Sequence, residues 1–137
     1  MVERTLAIWH KATATGDDAF IDAAALNLHG FYAGLERLFE LIADVIDQAK
    51  PPGDHWHQDL LRQMATEISE VRPAVLSPES RNRLDRYRGF RHVVRNIYAF
   101  NFDVEQLGLL VRELQPTFER AASEMLAFAD FLEELRP

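Results

Sequence analysis

Between about Asp17 and Lys50 the residues Leu28, Phe31, Leu35, Leu38, Phe39, Ile42, Val45 and Ile46 recur at intervals of three and four. At 3.6 residues per turn this spacing lines one side of a long α-helix, and such a side is stable only when other helices cover it. The rest of the chain repeats the pattern. A short segment near Val2 to Thr13 has Leu6 and Trp9 on one face, with a break at Thr15, Gly16 and Asp17. Pro51, Pro52 and Gly53 end the long helix, and Asp54 is placed to cap a third running to about Val71, with Leu60, Leu61, Met64 and Ile68 inward.

A fourth start is sharper. Ser77 stands as N-cap, Pro78 at the first helical position and Glu79 in the first turn, where an acid meets the positive end of the helix dipole. This helix is expected to reach about Ala99. Asp103 can cap a shorter helix carrying Leu107, Leu110, Val111 and Leu114; Pro116 is expected to interrupt or kink the pattern, and a last helix follows with Phe118, Ala122, Met125, Phe128, Phe131 and Leu132. No segment alternates as a strand does. The expectation is an all-α, antiparallel bundle of about five to six helices in one domain, residues 1–137.

Composition removes whole classes of chemistry. With no cysteine, disulfides, thiolate catalysis and cysteine-built metal sites are excluded. No apolar run approaches the roughly 18 residues of a membrane span, and MVERTLAIWHKATATGDD lacks the apolar block of a signal peptide, so a cytoplasmic protein without membrane contact is expected. The net charge of −7 argues against non-specific coating of nucleic acid.

That average hides a local reversal. From Pro78 to Tyr98 six arginines (Arg81, Arg83, Arg86, Arg88, Arg91, Arg95) face two acids, Glu79 and Asp85, so the remainder carries a formal −11. Guanidinium holds phosphate or carboxylate through paired hydrogen bonds, where an ammonium acts as a point charge.

Within RGFRHVVRNIYAFNFD the angular arrangement is informative. At about 100° per residue, with Arg88 at zero, Phe90, Val93, Val94 and Ile97 fall between roughly 140° and 240°. Arg91, His92, Arg95, Asn96 and Tyr98 fall within about 80° of zero. Arg91 and Arg95 repel each other one turn apart, and neither has an acid at i±4. Two readings follow: a solvated basic face, or a site for an anion.

The stretch from about Tyr87 to Asp103, with LNLHGFYAGLERLFELIA and GDHWHQDLLRQMA before it, resembles the HepT-like branch of the HEPN superfamily from about Phe20 to Leu135. Its motif is an Arg, four to six residues, a His, one residue and a Tyr. Here Arg91 and Tyr98 match the Arg and Tyr, HVVR forms the spacer, and Asn96 stands where the His is expected. An asparagine can hydrogen-bond a 2′-hydroxyl or a phosphate oxygen but cannot shuttle a proton. His92, one turn earlier, can.

The resemblance implies the toxin of a HEPN/MNT (type VII) toxin–antitoxin pair: a homodimeric endoribonuclease that needs no metal and no cofactor. Arg91, His92 and Asn96 would be catalytic, Arg88 and Arg95 would bind RNA phosphate, and Tyr98 would accept AMP from a cognate MNT-type nucleotidyltransferase antitoxin. Two alternatives stand beside it: a catalytically inactive HEPN module that binds the nucleotidyltransferase, RNA or nucleotide, and a helical interaction protein whose basic helix docks an acidic partner. His55 and His57 diverge by about 200° on a helix, which favours packing around Trp56 over metal binding. His29 reads as a hydrogen-bonded histidine at the core boundary, and Phe20, Phe31, Tyr32 and Phe39 as core or dimer interface.

Overall fold

The computed structural model describes residues 2–16, 18–96 and 104–136, and of residues 18, 91–96 and 104 the backbone alone. Five α-helices run in order: α1 (Val2–Thr15), α2 (Asp18–Ile42), α3 (Trp56–Met64), α4 (Pro78–Asn96) and α5 (Val104–Glu134), with a π-helical turn, Ala43–Asp47, extending α2. Among the described residues there is no strand, only an isolated bridge between Ile68 and Arg72. The all-α bundle expected from the sequence is the fold. No helix of the described residues is long and apolar enough to cross a membrane.

Side-chain pairs give the helix directions. Ser77 and Ser80 meet Glu124, Arg86 meets Glu113, and Tyr87 meets Leu110, so α4 and α5 are antiparallel. The Phe31 ring lies 5.3 Å from that of Tyr87 and 6.2 Å from that of Phe118. Asp47, just past α2, binds Arg72, just before α4, so these two helices are antiparallel as well. The α2–α4–α5 core buries Leu28, Tyr32, Phe39, Leu84, Tyr87, Leu107, Leu110 and Leu114 almost completely. Helix α1 closes one side: Trp9 lies so near Gly108 that a Cβ there would sit 2.8 Å from a ring carbon.

Four details differ from the sequence-based expectation. Helix α3 stops at Met64, because its carbonyl accepts the N–H groups of Val75 and Leu76 at 2.8 and 3.1 Å in place of a helical donor. His55, not Asp54, occupies the N-cap position of α3, with no side-chain hydrogen bond to the cap. Helix α5 passes through Pro116 without ending. Proline removes an N–H and crowds a carbonyl, costing about 3 kcal/mol, but Leu110, Val111 and Leu114 before it and Ala121 after it are all buried against the bundle. Finally, Leu38 and Val45, expected to face inward, are exposed. The π turn, in which the Gln48 N–H bonds the Ala43 carbonyl, adds a residue to the last turn and brings Asp47 inward instead.

Candidate functional site

The entry to α4 is held from three sides. Ser77 Oγ accepts the Ser80 N–H at 3.1 Å, Pro78 opens the helix, and the Glu124 carboxylate of α5 accepts the Ser77 N–H and the Ser80 hydroxyl. A negative group at a helix N-terminus opposes the dipole favourably. Ahead of it lies a buried ion pair: Arg72 donates to Asp47 through Nε at 2.6 Å and through a terminal nitrogen at 2.7 Å, and also to the carbonyls of Gln63, Thr66 and Pro73. Burial pushes the Asp47 carboxyl up, but hydrogen bonds from Arg72 and Gln63 and the Arg72 charge outweigh it, leaving the pKa below its ordinary value.

Along the first half of α4 the arginines are engaged. Arg83 binds Glu79 at 3.2 Å, Arg86 binds Glu113 at 2.8 Å, Arg88 binds Asp85 at 2.7 Å, and Arg81 donates to the Asn82 side chain at 3.0 Å. Arg120 of α5 also binds Glu79, at 2.8 Å. Each such partly exposed pair contributes about 0–1 kcal/mol, so the main effect is to neutralise charge. Tyr87 donates its hydroxyl to the Leu110 carbonyl at 2.7 Å, and burial pushes its phenol up to about 12.

The expected site lies in the second half. Arg91, His92, Arg95 and Asn96 belong to the last turns of α4, with their side chains outside the described residues, and Tyr98 lies outside them altogether. Arg88, expected to bind phosphate, is half-buried and bound to Asp85. Among the described side chains of α4, Ser80, Leu84, Tyr87 and Phe90 are buried. They span about −160° to −40° on the angular scale with Arg88 at zero, a sector shifted from the 140–240° that the later apolar residues mark out.

The histidines of the HWH stretch act separately. His57 Nδ1 lies 2.8 Å from an oxygen of Glu36, a residue only 4% exposed, and the Trp56 and His57 ring centres lie 3.6 Å apart with the rings tilted by 30°. The described residues contain no group of three or more His, Asp or Glu side chains able to hold a metal. His29 is half-buried on α2. Of the aromatics, Phe31, Tyr32 and Phe39 are core, while Phe20 is half-buried with Lys11 5.9 Å from its ring centre. The Glu36–His57 and Asp47–Arg72 pairs join residues 21 and 25 positions apart, beyond the reach of any local spacing rule. The one available signal was a charged residue on an otherwise apolar helix face.

The described residues form an antiparallel helical bundle in which the arginine-rich α4 packs against α2 and α5. A family model described as HepT-like protein matches residues 23–132, from α2 through most of α5, and the chain belongs to the HepT-like family. No curated protein and no solved structure matches it.

Proposed function

We propose that this chain is the toxin of a HEPN/MNT toxin–antitoxin pair and acts as a homodimeric, metal-independent endoribonuclease. The observation that carries the reading is membership of the HepT-like family over residues 23–132 together with the Arg91–Tyr98 run of the sequence. In the reaction a base, His92, takes the proton of a ribose 2′-hydroxyl. The 2′-oxygen bonds to the adjacent phosphorus, the bond to the 5′-oxygen breaks, and that oxygen takes a proton from water, giving a 2′,3′-cyclic phosphate and a 5′-hydroxyl. Arg91 and Arg95 stabilise the charge gathering on the phosphorane, and Asn96 hydrogen-bonds the ribose or phosphate. Neutralisation follows when the Tyr98 oxygen attacks the α-phosphate of ATP on a cognate nucleotidyltransferase, releasing pyrophosphate and leaving an anion in the RNA site.

Incubation with RNA in EDTA tests the activity. Cleavage should occur in the wild type and fall at least about 100-fold in Arg91→Ala and His92→Ala; cleavage that survives both substitutions removes the site. Asn96 at the motif histidine favours a second reading, a non-cleaving module that partners the nucleotidyltransferase. Under that reading RNA stays intact, yet ATP and the nucleotidyltransferase add one AMP to the wild type and none to Tyr98→Phe, as read by intact mass.

A further inference from the structure

Helix α1 fills only part of the groove that α2 and α5 form together. It packs on both of them, with Lys11 over the Phe20 ring and Trp9 against Gly108, so it runs antiparallel to α2. Counted back from the turn at Gly16 with equal rise on both helices, Val2 comes level with about residue 31 of α2. Beyond that level the groove lies open for about 24 Å, as far as Asp47.

The open part is apolar. A hollow of about 370 Å³ runs along Leu26, Gly30, Gly34, Leu38 and Phe118, and one of about 330 Å³ continues between Leu38, Phe118, Met125 and Leu126. Leu38, Phe118 and Leu126 are 48%, 41% and 67% exposed. In the filled part the Trp9 ring takes the space that a side chain at Gly108 would need. Gly30 and Gly34 leave a similar gap without an occupant, since a Cβ at either meets nothing within 4 Å.

The rim of the open part is acidic on both sides. With Gly34 at zero on α2, Arg37, Asp44 and Glu40 fall at about −60°, −80° and −120°; with Phe118 at zero on α5, Glu133, Glu119 and Asp130 fall at about 60°, 100° and 120°. Five acids thus flank the groove against one arginine. Lys50 and Arg136 approach Asp44 and Glu133 at 3.9 and 3.4 Å, but these are exposed pairs that neutralise little. A second copy offering the same face would set acid against acid.

We propose that the open part receives a basic amphipathic helix of a different protein, about 16 residues long, lying end to end with α1. Its inward positions recur at i, i+4 and i+7, as Thr5, Trp9 and Ala12 do in α1. A large apolar side chain sits over Gly30 and Gly34, and Lys or Arg on both flanks meets the rim acids. Apolar burial supplies most of the affinity, and the rim charge selects the partner. This assignment goes beyond the ribonuclease reading and does not depend on it, because the groove lies between α2 and α5 and not at the end of α4.

The probe is a fluorescein-labelled synthetic helix of about 18 residues, with Leu and Trp at the inward positions and Lys on its flanks, beside a twin with Glu in place of Lys. Each is titrated with the full chain and followed by fluorescence anisotropy. The Lys helix should bind with a Kd in the micromolar range, and the Glu helix at least about tenfold more weakly. Gly34→Gln and Leu38→Gln, verified as folded by circular dichroism, should each weaken the Lys helix at least about tenfold. Glu119→Lys combined with Asp130→Lys, both at exposed positions, should narrow or reverse the preference between the twins, and decides the matter if a groove variant unfolds. Absent binding, equal binding of the twins, or binding indifferent to the substitutions overturns the proposal. So does a wild type that light scattering finds dimeric and that Leu38→Gln makes monomeric, since a second copy then covers the groove.

Discussion

The two halves of α4 use the same residue for different ends. From Ser77 to Phe90 the helix is tied down: Glu124 binds at its N-terminus, the Tyr87 hydroxyl reaches Leu110, and Arg83, Arg86 and Arg88 each meet a carboxylate. From Arg91 to Asn96 the sequence places two arginines one turn apart with no acid within a turn on either side. The six-arginine excess is therefore not one basic surface. At least half of it, Arg83, Arg86 and Arg88, is balanced by neighbouring acids.

The largest effect should come from the anchor that leads into α4. Asp47→Ala leaves Arg72 buried without its counter-charge and should cost about 3–5 kcal/mol in urea unfolding. If the loss stays below about 1 kcal/mol, the anchored half does not depend on this pair. The same pair sets the acid limit. Because the folded pKa of Asp47 lies below its ordinary value near 3.8, its contribution is complete above that value and is lost as pH falls through the lower folded one. A stability profile below about pH 4 should accordingly be flatter in Asp47→Asn.

Tyr87→Phe deletes a buried hydrogen bond and should cost about 1 kcal/mol. The folded phenol, pushed up to about 12, stays neutral while the unfolded one ionises near 10, so wild-type stability falls between these values and that of Tyr87→Phe does not. The smallest effect belongs to Arg86→Ala. Its exposed pair with Glu113 should contribute no more than about 1 kcal/mol to the thermal midpoint; a greater loss would mean that the paired arginines hold the helix as well as neutralising it.

What could be read from the sequence was whatever is encoded locally. The Ser77–Pro78 start and the buried Leu107, Leu110, Val111 and Leu114 follow from residues within a turn of one another, and both are present. The end of α3, the inward turn of Asp47 and the passage of α5 through Pro116 depend on distant partners: Val75 and Leu76 at the Met64 carbonyl, Arg72 at Asp47, and the bundle against both sides of the proline. At the site, spacing gave the candidates Arg91, His92, Arg95, Asn96 and Tyr98 together with Arg88. It missed that Arg88 is taken by Asp85, an acid only three residues before it on the helix.

The central claim is that arginines of one helix divide into balanced and RNA-directed groups. Cleavage of a labelled RNA in EDTA by the wild type, Arg86→Ala and Arg91→Ala, compared at equal helicity, tests it most directly. Activity within about two-fold of wild type for Arg86→Ala and a loss of at least about 100-fold for Arg91→Ala is the predicted result. Equal losses from the two substitutions, or none from Arg91→Ala, would contradict it.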